Sequence, residues 1–82
     1  MFYTYVLKSL KDNNFYIGFT ANLKNRIVQH EKGQVESTKS RLPIELVYYE
    51  AFKFEEDARK QELFYKTGQG RRVLNKRLQS VK

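Results

Sequence analysis

The sequence contains no cysteine, no tryptophan, one histidine and one proline. Without cysteine there is neither a disulfide staple nor a thiolate zinc site, and one histidine excludes a metal cage of several histidines within the chain. No apolar run approaches the ~18 residues of a membrane span. The N-terminal MFYTYVLKSLKDNN lacks a basic segment followed by an apolar one, so a cytoplasmic protein independent of membranes is expected. Acidic residues are scarce as well: nine Asp and Glu against sixteen Lys and Arg leave a net charge of +7. A positive field of that size attracts polyanions, with nucleic acid first among them. The 82 residues support one core and not two, hence a single domain over 1–82. Six Tyr and six Phe are present. Each ring can bury roughly 150 to 250 Å2, so the expected core is aromatic. No repeat, linker or low-complexity tract interrupts the chain.

FYTYVLK over 2–8 and FYIGF over 15–19 are rich in aromatic and β-branched residues and flank the polar SLKDNN, which predicts a β-hairpin. NLKNRIVQHEKG offers Asn22 as N-cap, Leu23 and Ile27 one turn apart and Gly33 as a stop, predicting a helix over about 22–32. Arg26 and His30 sit one turn apart at the border of its buried stripe. GQVESTKSRLP over 33–43 reads as an exposed basic loop. IELVYYEAF over 44–52 has apolar residues at both parities, as in a strand covered on both faces. FEEDARKQELFYKTG opens with three acidic residues and closes with Lys66 before Gly68, both favourable to a helix dipole. Phe54, Ala58 and Tyr65 share one face of that helix, with Glu62 at its edge. Leu63 lies opposite and calls for a second surface, which a short terminal helix over about 71–78 supplies. The fold class expected is α+β, a three-stranded antiparallel sheet flanked by helices.

Several polar groups converge in this arrangement. Tyr5 and Tyr16 stand on adjacent antiparallel strands, and Gly18 removes a side chain from the same strand face, opening it to close approach. Arg26 and His30 follow on the next helix. Glu62 is a carboxylate beside apolar neighbours, where an unpaired charge is costly. Singly, each has an ordinary explanation: strand tyrosines pack, Arg26 is solvated, His30 is a structural hydrogen-bonder, and Glu62 pairs with Arg59 or Lys66 at helical spacing. Their joint occurrence carries the functional reading.

In order and spacing these residues resemble the GIY-YIG nuclease family. Tyr3, Thr4 and Tyr5 correspond to the first motif, of which only the last tyrosine matches; Tyr16, Ile17 and Gly18 match the second in full. Eleven positions lead from Tyr5 to Tyr16, ten more to Arg26 and four more to His30, and the later helical glutamate falls at Glu62. STKSRLPIELVYYEAF and the ARKQE stretch are especially similar to the small stand-alone subfamily related to the amino-terminal nuclease domain of the repair excinuclease, a link to DNA repair. The resemblance implies a catalytic set of Tyr5, Tyr16, Arg26 and His30. Tyr16 rather than Tyr5 would be general base or water-orienting group, and Arg26 would meet the scissile phosphate. Glu62 would be the single protein ligand of one Mg2+ or Mn2+. Phosphodiester hydrolysis needs these parts: an oriented water, a proton acceptor, a cation on the phosphate and stabilisation of the leaving oxygen. A free phenol ionises near pH ~10, so a tyrosine base needs positive charge beside it. Magnesium suits one carboxylate, because it retains waters and takes further ligands from substrate phosphate.

The expected function is therefore a metal-dependent endonuclease acting on nucleic acid, DNA foremost. Lys39, Arg41, Arg71, Arg72, Lys76 and Arg77 are candidate phosphate contacts by charge clustering. Strong sequence specificity would require a protein partner. Asn75, the one late asparagine, has no assigned role. Two other readings stay open: a non-catalytic nucleic-acid-binding module on the same fold, and an adaptor whose basic surface docks an acidic protein.

Overall fold

The computed structural model describes residues 1–81. Two strands come first, β1 (Phe2–Ser9) and β2 (Phe15–Thr20), followed by helix α1 (Leu23–Glu31) and a 3-10 turn at Lys39–Arg41. Strand β3 (Ile44–Phe52), helices α2 (Glu55–Tyr65) and α3 (Gly68–Arg77) and a last 3-10 turn at Gln79–Val81 complete the chain. The sheet is antiparallel throughout, in the order β2-β1-β3. This is the expected α+β class. Among the described residues no helix is long and apolar enough to cross a membrane.

The hairpin closes because Asn13 accepts a positive φ of 61° and Asn14 donates its backbone N–H to the Asp12 carboxylate at 2.9 Å. Asn22 then caps α1 by accepting from the Asn25 amide at 3.1 Å, and Gly33, at φ 73°, ends it. Thr67 caps α3 by accepting from the Gly70 amide at 3.0 Å, so this helix starts at Gly68 rather than at Arg71 as expected. A side chain at Gly70 would collide with the Phe64 carbonyl, which is how α2 and α3 meet in so tight a corner.

β1 is the central strand, and Thr4, Tyr5, Val6 and Leu7 are buried in succession because helices cover both of its faces. On one face Tyr5, Leu7 and Ile44 pack with Leu23 and Ile27 of α1. On the other, Val6 and Ile17 pack with Tyr65, Leu74 and Leu78 of α2 and the C-terminal segment. Each such aliphatic side chain contributes roughly 1.5 to 3 kcal/mol when fully buried. The Thr4 hydroxyl donates to the Ala58 carbonyl at 2.6 Å and ties α2 to β1. A second tie is a set of hydrogen bonds to one carboxylate: Glu50 of β3 accepts from Tyr48 at 2.5 Å, from Tyr65 at 2.5 Å and from Gln61 at 2.9 Å.

Four further sequence expectations need correction. The doubly covered strand is β1; β3 lies at an edge and leaves Glu45, Tyr49 and Ala51 exposed. Phe54 precedes α2 as its N-cap and is 57% exposed, so the buried stripe begins at Ala58. Leu63 is 65% exposed, because α3 folds back against Tyr65 and the far face of the sheet and never reaches it. The 33–43 segment is exposed only in part: Val35 and Thr38 are buried, and the Ser9 hydroxyl donates to the Arg41 carbonyl at 2.6 Å.

Candidate active site

The register pairs Tyr5 with Gly18 and Leu7 with Tyr16, so the two tyrosines stand diagonally on one face of the hairpin. Their ring centroids are 6.5 Å apart. A Cβ built on Gly18 would overlap the Cζ and Oη atoms of Tyr5. The close approach anticipated at this glycine is therefore made by the neighbouring tyrosine itself. Tyr5 is buried and Tyr16 half-buried, which makes Tyr16 the more accessible phenol.

Only two residues, Ala21 and Asn22, separate β2 from α1, and this short connection lays the helix across the same face. His30 is completely buried, with its ring edge-on to both tyrosines at 5.6 and 5.4 Å between centroids. Its Nε2 lies 2.8 Å from Tyr5 Oη and its Nδ1 2.7 Å from Thr38 Oγ1. The adjacent Ser37 hydroxyl donates to Tyr16 Oη at 3.2 Å. Two consecutive hydroxyl residues of the 33–43 segment thus touch two members of the cluster. Burial, reinforced by the charge of Arg26, holds the His30 pKa down at about 4, so this imidazole is neutral at pH 7.

Arg26, one turn before His30, is half-buried, and its Nη1 donates to Gln29 Oε1 at 3.1 Å. Its guanidinium is felt directly at Tyr5: burial pushes the Tyr5 phenol up from its ordinary value, and the interaction with Arg26 pulls it back. The negative charge of Glu62 adds to the upward push, which brings α2 into the same electrostatic neighbourhood. Glu62 keeps 17% of its side-chain surface, and its Oε2 accepts from Lys66 Nζ at 2.9 Å. Of the two partners anticipated for it, Lys66 is the one that binds; Arg59 pairs with Glu55 instead, at 2.8 Å.

Among the described residues no group of three His, Cys, Asp or Glu side chains is arranged to hold a metal ion. One mostly covered carboxylate, already matched to a cation, fits a metal that keeps its waters and draws its remaining ligands from a phosphate substrate. It does not fit a closed structural site.

The candidate phosphate contacts separate into two groups. Arg41 and Arg71 line one groove of about 820 Å3 at the hairpin end, together with Lys8, Asn14 and Asn75. Arg41 is partly neutralised there by Asp12 at 3.4 Å. Lys39 pairs with Glu36 at 3.0 Å outside this groove. Arg72, Lys76 and Arg77 are exposed on α3, also outside it. The groove does not include Tyr5, Tyr16 or Glu62 in its walls.

Sequence reasoning passes over Ser37, Thr38 and Gln29, which contact Tyr16, His30 and Arg26. Their only local signal is the run of hydroxyl residues after the Gly33 stop, which reads equally as an ordinary loop.

A family model described as the GIY-YIG catalytic domain matches residues 1–77. The chain belongs to the GIY-YIG family. Similar proteins include a UPF0213 protein of Pediococcus pentosaceus, 46% identical over 66 residues that make up 79% of this chain and 68% of that protein. A UPF0213 protein of Staphylococcus haemolyticus is 41% identical over 66 residues, 79% of each chain. Their names assign no activity. No solved structure matches the chain.

GIY-YIG domains are nuclease domains and act on nucleic acids, in keeping with the +7 charge. Both departures from the first GIY-YIG motif have structural occupations here. Tyr3 is half-buried, edge-on to Tyr49 at 6.1 Å, and Thr4 is fully buried in its bond to Ala58. The glycine of the second motif is the one whose missing side chain admits the Tyr5 ring.

Proposed function

We propose that this GIY-YIG protein is a metal-dependent endonuclease that hydrolyses phosphodiester bonds of DNA. The observation that carries the reading is the convergence of Tyr5, Tyr16 and His30 from β1, β2 and α1, with Arg26 one helical turn before His30.

In this reading the Arg26 guanidinium meets the scissile phosphate, where its planar fork contacts two oxygens. Tyr16, the more accessible of the two tyrosines and anchored by Ser37, orients the attacking water and, reacting as the phenolate, takes its proton and ends as the phenol. Tyr5 is held by His30 and shielded from solvent, and it faces the same phosphate as a hydrogen-bonding group. Neutral His30 acts as a hydrogen-bond partner and not as a cation. Glu62 would hold one Mg2+ or Mn2+. That ion would neutralise charge developing on the phosphate and sharpen the bound water as a nucleophile. Lys66 is the group that a metal at Glu62 would displace. Arg41 and Arg71, facing one groove, track the flanking phosphates and fix the register of the strand.

The test is incubation of the purified protein with supercoiled plasmid, branched DNA and RNA, each with Mg2+, Mn2+ or chelator. Nicking of DNA that requires the metal is expected. Salt-dependent binding without cleavage of any substrate would leave a non-catalytic nucleic-acid-binding module.

A further inference from the structure

We infer that the groove between α1 and the edge strand β3 is a binding site for an unpaired nucleobase of the DNA strand, which stacks on Tyr49. Tyr3, Lys24, Ile27, Val28, Leu46 and Tyr49 line this groove of about 550 Å3. No strand lies beyond β3, so Tyr49 stands on the open side of the sheet with 52% of its surface exposed. Its ring is braced edge-on by Tyr3 at 6.1 Å, and Val28, 38% exposed, lines the groove from α1. An aromatic ring on one wall and aliphatic side chains on the other form a slot of the kind in which flat bases stack.

Charge and size select the occupant. Among the described residues the walls carry no acidic side chain, and their one cation, Lys24, enters no ion pair. Lys24 stands in the first turn of α1, which holds no acidic residue either, so the helix dipole adds to its positive charge. The phosphate attached to a bound base is attracted to that end, in keeping with the net charge of +7. Of the large apolar side chains lining the groove, only Val28 and Tyr49 are exposed. That surface suits one ring and falls well short of the ~800 Å2 per partner of a stable protein interface. Tyr49 is also the β3 partner of Tyr5, so the groove opens one strand away from the tyrosine cluster. A base reaches it only outside a duplex. The slot is a matter of geometry; that its ligand is DNA rests on the nuclease reading.

The test is binding in chelator, measured by anisotropy, of a labelled single-stranded DNA oligonucleotide and of the matching duplex. Tyr49→Ala should weaken binding of the single strand by roughly 5- to 100-fold and leave the duplex unchanged. Tyr49→Phe, which keeps the ring, should bind as wild type does. Lys24→Gln, at an exposed helix position, should reduce the slope of log affinity against log salt for the single strand by about 0.7. Melting of each variant establishes that it is folded. No binding of the single strand by wild type, unchanged affinity in folded Tyr49→Ala, an equal loss on the duplex, or an unchanged slope in Lys24→Gln would overturn the assignment. Sedimentation showing a wild-type dimer that Tyr49→Ala breaks would give the groove to a second copy of the chain instead. No readout depends on cleavage, so a protein that binds as expected without cutting sinks the nuclease reading alone, and cutting with binding indifferent to Tyr49 sinks the groove alone.

Discussion

The ring of Tyr5 fills the space that a side chain on Gly18 would occupy, so one residue of the second family motif exists to admit the tyrosine of the first. The displaced atoms would be those of the phenol tip, the part hydrogen-bonded to His30. Gly18→Ala should therefore destabilise the protein by roughly 1 to 3 kcal/mol, the usual cost of overpacking a core. It should also abolish cleavage. Denaturant midpoints and a nicking assay on the same preparation check both outcomes.

His30 makes stability depend on pH. Its pKa is about 4 in the folded protein against 6.5 for a free imidazole. The contribution of the neutral ring is thus complete above pH ~6.5 and is lost as the pH falls through about 4, because the unfolded chain takes up the proton first. The loss is on the order of 3 kcal/mol at most. Urea midpoints of wild type and His30→Gln should converge between pH 7 and pH 4, since the carboxylates titrate in both proteins. A constant gap would mean that His30 is not held neutral by the fold.

Much of this site is legible in the sequence because it is carried by spacing. Pattern alone puts β3 at 44–52 and α1 at about 22–32, and they run over Ile44–Phe52 and Leu23–Glu31. Once the hairpin and α1 form, Tyr5, Tyr16, Arg26 and His30 have little freedom to be anywhere else. What the sequence withholds depends on long-range approach. Nothing local distinguishes Thr38, which is buried against His30, from the exposed Ser37 or Ser40. Nothing local marks Glu50 either, yet beside its strand neighbour Tyr48 it receives Gln61 and Tyr65 because α2 docks over that end of β3. Leu63 departs from expectation for the same reason: helical periodicity predicts a second apolar surface but cannot say where α3 will turn.

Binding to DNA should weaken steeply with salt, because each neutralised phosphate releases condensed counterions. Arg71 and Arg41 face one groove while Arg72 lies outside it. Arg71→Ala should reduce the slope of log affinity against log salt by about 1. Arg72→Ala should change it less. Equal slopes for wild type and Arg71→Ala would take the groove off the path of the nucleic acid.

Lys66 holds the position a metal would contest at Glu62. A partly exposed ion pair of this kind is worth below ~1 kcal/mol, so Lys66→Gln should leave the denaturant midpoint nearly unchanged. Removing the competing ammonium should lower the Mg2+ concentration that gives half-maximal cleavage. A higher requirement would instead assign Lys66 to the substrate.

Glu62→Gln separates a metal enzyme from a basic scaffold, because glutamine keeps the shape of the side chain and removes its charge. Cleavage and metal-free binding are to be measured for wild type and variant on one DNA substrate. If Glu62 ligates the metal, cleavage collapses while binding without metal is kept or strengthened, since a negative charge beside the phosphates has gone. Cleavage at the wild-type rate with unchanged metal dependence would refute the ligand role and leave Glu62 as nothing more than the partner of Lys66.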